Sequence, residues 1–242
     1  MTFAFPPGRD DRFETFLTDE RNRETVSLCR RFVDAPPSLP ASLVLHGPAG
    51  CGKTHLLGAM GDVAKRRLGG GAWYLSTVDL AADVADTGGY EALKGRLAGY
   101  EAALFLAVDD LEAAVALPDV QEQIFHLFNA VTQSGGIFVA AADRPPARLG
   151  FADYLETRLL WGQALDLKPV ADETWEKVLV NAAAARGLTL PEAAARWMVT
   201  RIARDPASQL TALERVDRRS LTTGRKVSVQ LVREALEEND DL

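Results

Sequence analysis

Cysteine is nearly missing from this chain: of 242 residues, only Cys29 and Cys51 carry thiols. Two thiols, one of them inside a glycine-rich run, make no disulfide framework, so a reducing cytoplasm is the expected location. Long apolar runs are missing as well. None approaches the roughly 20 residues that a bilayer-spanning helix needs, so no membrane association is expected. Met1–Gly8 has neither the basic start nor the apolar centre of a secretory signal. Histidine is sparse: His46, His55 and His126 sit in different segments without metal-ligand spacing, and no transition-metal site is expected. Basic charge is also short. With 27 Lys and Arg against 34 Asp and Glu, the net charge is −7. Duplex DNA affinity rests largely on phosphate neutralisation, so this chain is no general DNA coater, and DNA contact is expected to be weak or indirect. The local exception is Arg215, Arg218, Arg219, Arg225 and Lys226, with Asp217 the only acid between the ends.

What is present is an ordinary globular composition, 47% hydrophobic and 25% charged, enough for one large or two small cores. No segment repeats. Short apolar runs alternate with stretches of helical periodicity, the pattern of an α/β sheet covered on both faces. Strands are expected at Leu43–Gly47, Ala72–Ser76, Leu104–Asp109, Ile137–Ala142 and Ala164–Lys168. Helices are expected between them, such as Lys53–Leu68 and Val120–Gln133; the latter puts Ile124, Leu127, Phe128 and Val131 on one stripe. After Pro169 only helix signals remain: Thr174–Arg186, Pro191–Arg204, Ser208–Leu221 and Val229–Glu238. Trp175 and Trp197 fall on the inner faces of these helices. The expected organisation is an N-terminal segment and linker (1–40), a nucleotide-binding domain (41–169) and a small all-helical domain (170–242).

Gly47-Pro48-Ala49-Gly50-Cys51-Gly52-Lys53-Thr54 matches G-x-x-x-x-G-K-[ST] in full, after an apolar strand and before a helix. Glycines let backbone amides turn inward around phosphate oxygens, and the helix N-terminus adds positive potential. Lys53 would reach the β- and γ-phosphates, and the Thr54 hydroxyl would ligate magnesium. ATP or ADP with Mg2+ is therefore the expected ligand. Cys51, beside Lys53 and a helix start, is a candidate for a lowered thiol pKa or a filler of a small space. The strand Leu104–Asp109 ends in Asp109-Asp110 and is expected beside the phosphate loop in the sheet. Asp109 would hold the metal and Asp110 would polarise an attacking water; the alternative is an acidic helix cap. Asp143, at the tip of the next strand, would help position that water, or else belongs to a turn, Asp143-Arg144-Pro145-Pro146.

Several stretches resemble the DnaA replication-initiator family of AAA+ proteins, especially its Hda-type regulatory branch. They are Gly52-Lys53-Thr54-His55-Leu56-Leu57, Asp109-Asp110 with Phe125-His126-Leu127-Phe128-Asn129, and Arg158-Leu159-Leu160-Trp161-Gly162-Gln163. Asp143-Arg144-Pro145-Pro146 and the tail from Asp217 to Leu236 continue the likeness. The resemblance implies an AAA+ domain with a five-stranded parallel sheet followed by a helical lid. It makes Asp143 a sensor near the γ-phosphate and Arg158 an arginine finger acting in trans. It also extends nucleotide contacts to His55 and to Leu17, within a Phe13–Leu17 segment that covers adenine; packing of Phe16 and Leu17 onto the core would use the same apolar contacts.

The partners this implies are the initiator DnaA, the sliding clamp, and other copies through AAA+ interfaces. Departures from the family pattern matter. The chain stops after the lid, where an initiator continues into a DNA-binding domain. Ala207 aligns with the lid arginine, leaving room for an ADP-bound adaptor without productive ATPase, unless Arg201 or Arg204 substitutes. Thr77–Ala102 matches the length of the initiator's single-strand-binding segment, which keeps open a module for single-stranded DNA or the replicative helicase. Its acids outnumber Lys94 and Arg96, however, and Gly88-Gly89 divides it. The start carries Phe3 and Phe5 but no glutamine of a clamp-binding peptide.

Overall fold

A computed structural model of the protein describes residues 11–36, 41–86, 90–203 and 206–237. Its contacts divide the chain into two compact units, residues 1–18 with 22–168, and residues 19–21 with 169–242.

The first unit runs α1 (Arg23–Asp34), β1 (Ala41–His46), α2 (Lys53–Leu68), β2 (Ala72–Ser76), α3 (Thr77–Ala85), α4 (Tyr90–Glu101), β3 (Phe105–Asp109), α5 (Pro118–Gln133), β4 (Ile137–Ala142), α6 (Asp153–Leu160) and β5 (Gln163–Asp166). The five strands form one sheet in the order β2-β3-β4-β1-β5. Every pairing is parallel. Side chains alternate across a strand, and here the alternation sorts them into two cores. Leu43, Leu45, Phe105, Ala107, Ile137, Val139 and Ala141 pack with α1 and α2 on one face. Val44, Leu106, Val108, Phe138, Ala140 and Ala142 pack with α3 to α6 on the other. Central strands buried on both faces read as unbroken apolar runs for this reason. Helix α1 is not among the helices expected from the sequence, although Val26, Cys29, Phe32 and Val33 fall at helical spacing and all four are buried.

One expectation needs correcting. Strand β3 is not the neighbour of β1, because β4 lies between them. The crossover through α2 carries the chain out to the edge strand β2, and β3 and β4 then fill in the sheet on the way back. The acid-ended strand is thus one place removed from the phosphate loop, and the strand leading to Asp143 is adjacent to it.

The second unit contains α7 (Asp172–Ala185), α8 (Glu192–Arg201), α9 (Pro206–Thr223) and α10 (Val229–Glu237). Trp175, Leu179, Ala183, Met198, Val199, Leu213, Val216 and Leu231 are buried in it. Helix α7 ends in a left-handed Gly187, and the Leu188 amide donates back to Ala183 O at 3.0 Å. Its start is held by a residue from far upstream: Asp19 Oδ2 accepts from the Ala171 amide at 2.6 Å and from the Thr174 hydroxyl at 3.1 Å. Ala207 lies in α9, and Arg204 lies outside the described residues.

Candidate nucleotide-binding site

The phosphate loop leaves β1 between β4 and β5 and enters α2 at Lys53. Two of its glycines are required by geometry. A Cβ on Gly47 would lie 2.3 Å from the Leu167 carbonyl oxygen. Gly52 has φ +99°, and a Cβ there would lie 2.6 Å from the Phe16 ring. Lys53 is buried and its Nζ donates to Gly47 O at 2.8 Å and Pro48 O at 3.1 Å, so the ammonium lies across the loop. The amides of Gly50, Gly52 and Thr54 take no hydrogen bond among the described residues. Unspent amides at a helix start, closed by one ammonium, fit a polyphosphate. Cys51 corrects an expectation: burial raises its thiol above the ordinary value and outweighs the opposing charge of Lys53. It fills space beside Gly47, where a Cβ would come 3.1 Å from its sulfur.

The acidic side is built by β3 and β4. Asp109 is buried, and both its carboxylate oxygens are occupied: Oδ1 accepts from the Asp110 amide at 3.0 Å and Oδ2 from the Tyr74 hydroxyl at 2.9 Å. The Thr77 hydroxyl donates to Asp109 O at 2.7 Å. Asp110 sits at φ +57°, the one non-glycine residue with positive φ among the described residues. Burial first, then the charges of Asp109 and Glu112, raise its carboxyl above the ordinary value, while Lys53 pulls the other way.

Asp143 follows β4. Its amide donates to Glu112 Oε2 at 3.1 Å, and its carboxylate accepts from Arg144 Nε at 2.8 Å and Nη2 at 2.6 Å. The Arg144 fork holds it below the ordinary carboxylate value, with Lys53 acting in the same direction. Lys53, Asp110 and Asp143 therefore share one electrostatic neighbourhood. Tyr74, Thr77 and Glu112 belong to it too and were not apparent from the sequence. Ser76 pairs with Asp109 in the sheet register, and that pairing, which the sequence does not encode locally, is what brings the first two beside it. Among the described residues no three His, Cys, Asp or Glu side chains form a self-sufficient metal cage. Magnesium, which commonly combines one or two carboxylates with substrate phosphates, is compatible with Thr54 and Asp109 as partial ligands.

The segment before α1 covers the first turn of α2. The Phe16 ring meets His55 edge-on at 5.1 Å, His55 Nε2 lies 3.0 Å from Arg12 O, and His55 Nδ1 lies 3.6 Å from Asp11 Oδ1. Phe16, half-buried, packs against the core on the α2 side. The Leu17 carbonyl accepts from Asn22 Nδ2 at 3.1 Å. Phe16 is thus the ring laid on the phosphate loop, with Leu17 one residue beyond.

A family model of the bacterial DnaA ATPase domain matches residues 8–166, and a model of the Hda lid domain matches residues 172–236. The chain belongs to the bacterial DnaA ATPase-domain family. Domain III of the Thermotoga maritima replication initiation protein DnaA is similar to it with a TM-score of 0.76 at 23% identity, covering 99% of this chain and 100% of that one. AMPPCP-bound DnaA from Aquifex aeolicus gives 0.70 at 24% identity, covering 98% and 69%. A replication initiator DnaA bound to AMPPCP and single-stranded DNA gives 0.73 at 22%, covering 98% and 70%. At these identities the solved structures establish the AAA+ fold. No helix among the described residues is long and apolar enough to cross a membrane.

Within this DnaA-type domain, the side-chain contacts of Arg158 are with residues other than those of the phosphate loop. It lies in the last turn of α6, where Nε donates to Asn129 Oδ1 at 2.9 Å on α5. Its guanidinium carbon is 3.9 Å from the centroid of the Trp161 ring and 5.4 Å from that of Phe125. The candidate site residues thus form one group, from Gly47 to His55 with Asp109, Asp110 and Asp143, plus an arginine whose side-chain partners among the described residues lie on α5 and at the end of α6.

Proposed function

We propose that this chain is an ATP- or ADP-binding regulator of chromosomal replication initiation that promotes hydrolysis of initiator-bound ATP. The observation that carries this reading is the Hda-type lid at 172–236 joined to a DnaA ATPase domain in one chain. The loop Gly47–Thr54 and His55 cradle the phosphates, with the amides of Gly50, Gly52 and Thr54 as the available donors, and Lys53 would move from its carbonyl partners onto the β- and γ-oxygens. Thr54 and Asp109 hold magnesium, which when bound offsets phosphate charge. Tyr74 and the Asp110 amide fix the Asp109 carboxylate for that task. Asp110, with its raised pKa, is suited to accept a proton from an attacking water. Asp143 reaches that water only when its pair with the exposed Arg144 opens. Arg158 enters the nucleotide site of a neighbouring AAA+ molecule, either the initiator DnaA or another copy, and offsets charge developing on the phosphoryl group.

The reading as a single-strand-binding module has less support. Arg96, the arginine of the α3–α4 region, is held by Asp83 at 3.1 Å and Asp86 at 3.0 Å, which leaves little net positive charge for a phosphate backbone. Phe3 and Phe5, proposed for the sliding clamp, lie outside the described residues.

Two measurements test the proposal. Calorimetry with Mg2+ and either adenine nucleotide gives a binding isotherm that Lys53→Ala abolishes. Mixed with ATP-loaded initiator, clamp and DNA, the protein accelerates hydrolysis, and Arg158→Ala removes that acceleration, with about 10³-fold at stake for a finger. Equal turnover with the two versions overturns the regulatory role.

A further inference from the structure

We infer that Trp161 and Asn129 are positioning residues for Arg158, setting its guanidinium in the pose from which it engages a neighbour's phosphate. The inference rests on the finger role proposed above and adds to it the device that aims the side chain.

An arginine side chain carries large rotamer freedom, much of which must be given up when it engages a phosphate. Here that freedom is already restricted from two directions. One face of the guanidinium lies over the Trp161 ring at 3.9 Å, close enough for a strong cation–π stack. Nε, on the inner edge, is spent on Asn129 Oδ1 at 2.9 Å. The Nη amino groups make no hydrogen bond among the described residues. The donors that match a phosphate oxygen pair are the ones left available.

Trp161 is itself tied to the same turn, since its amide donates to Arg158 O at 3.2 Å. Stack and backbone therefore move together. Asn129 projects from α5, a helix buried along Ile124, Leu127, Phe128 and Val131, so its oxygen is a fixed reference point. The exposure of the stack argues against a purely structural role. Trp161 is 54% exposed, beside Leu160 at 47% and Tyr154 at 41%. A tryptophan placed only for core stability would be buried. Here it gives a ring face to Arg158 and stays more than half exposed.

The test measures single-turnover hydrolysis of ATP on the loaded initiator, with clamp and DNA, over a range of concentrations of this protein. Each variant yields a maximal rate and a half-saturating concentration. Trp161→Ala and Asn129→Ala are expected to lower the maximal rate about 10- to 100-fold, the scale of a small misplacement of a reacting group, and to shift half-saturation far less. Trp161→Phe, which keeps an aromatic face, is expected to recover most of the rate, and Trp161→Leu, which keeps only apolar bulk, is not. Arg158→Lys is expected to fail despite its charge, because an ammonium offers no flat face and no fork.

Full maximal rates in Trp161→Ala and Asn129→Ala overturn the inference, as does a loss confined to half-saturation or a Trp161→Leu variant equal to Trp161→Phe. In those cases the finger role survives if Arg158→Ala is inactive. If Arg158→Ala matches the unmodified protein, the finger role falls and the positioning role falls with it.

Discussion

Asp110 combines two costs at one residue, a left-handed backbone and a carboxylate crowded by two others. Its carboxyl is raised by burial and by Asp109 and Glu112. An acid whose folded pKa is raised weakens the fold at pH values above that pKa, and the penalty fades as the pH falls through it. Asp110→Asn removes the charge and keeps a side chain that tolerates the left-handed region. It is expected to raise the melting temperature at pH 7. That gain should shrink toward zero as the pH drops below the folded pKa toward the ordinary carboxylate value of 3.8. Thermal melts from pH 7 to pH 4 measure it, and a gain independent of pH would refute the electrostatic account. If Asp110 polarises the attacking water, the stabilised variant is also the slower ATPase.

At the scale of elements, Gln121 joins three pieces around the site. Its Nε2 donates to Ala114 O and Val115 O, both at 3.0 Å, at the end of the one-turn 3-10 helix Leu111–Ala114 that follows Asp110. Its Oε1 accepts from the Ala152 amide at 2.9 Å, at the cap of α6. Gln121 is buried, and Gln121→Leu leaves the Val115 carbonyl and the Ala152 amide without a partner, while Ala114 O keeps the Leu117 amide; the expected loss is about 2 kcal/mol. A urea midpoint unchanged from that of the unmodified protein would remove Gln121 from this role.

Apart from α1, the individual elements were legible because their signals are local. Lys53–Leu68, Ala72–Ser76 and Ile137–Ala142 fall where periodicity and turn residues put them. Strand order was not legible, since nothing in β3 or β4 encodes that β4 inserts beside β1. For the same reason Tyr74 could not be assigned to Asp109, from which it is separated by 35 positions and joined only through the sheet register. The surroundings of Cys51 depend on Lys53 and on burial together, and only coordinates show which prevails.

At the scale of the whole molecule, the chain enters its second unit twice, first at Asp19–Arg21 and again from Pro169. Burial alone pushes the Asp19 carboxyl up, but the amides of Ala171 and Arg21 and the Thr174 hydroxyl bring it below its ordinary value. An acid depressed in this way lends stability above its unfolded pKa, and that contribution is lost as the pH falls through the folded one. Asp19→Ala is expected to cost about 1 kcal/mol, the usual worth of a helix cap, and to raise amide exchange in the first turn of α7. A fragment of residues 169–242 should show the same fast exchange without any mutation. Protection there equal to that of the full chain would dismiss Asp19 as the cap.

That cap also has a place in time. Asp19 leaves the ribosome 152 residues before Ala171, an interval on the order of ten seconds at ordinary rates of synthesis. All five strands are made within it. A growing chain can close its sheet while this carboxylate still faces water, and the start of α7 acquires its distant acceptor only after the whole first unit has been made.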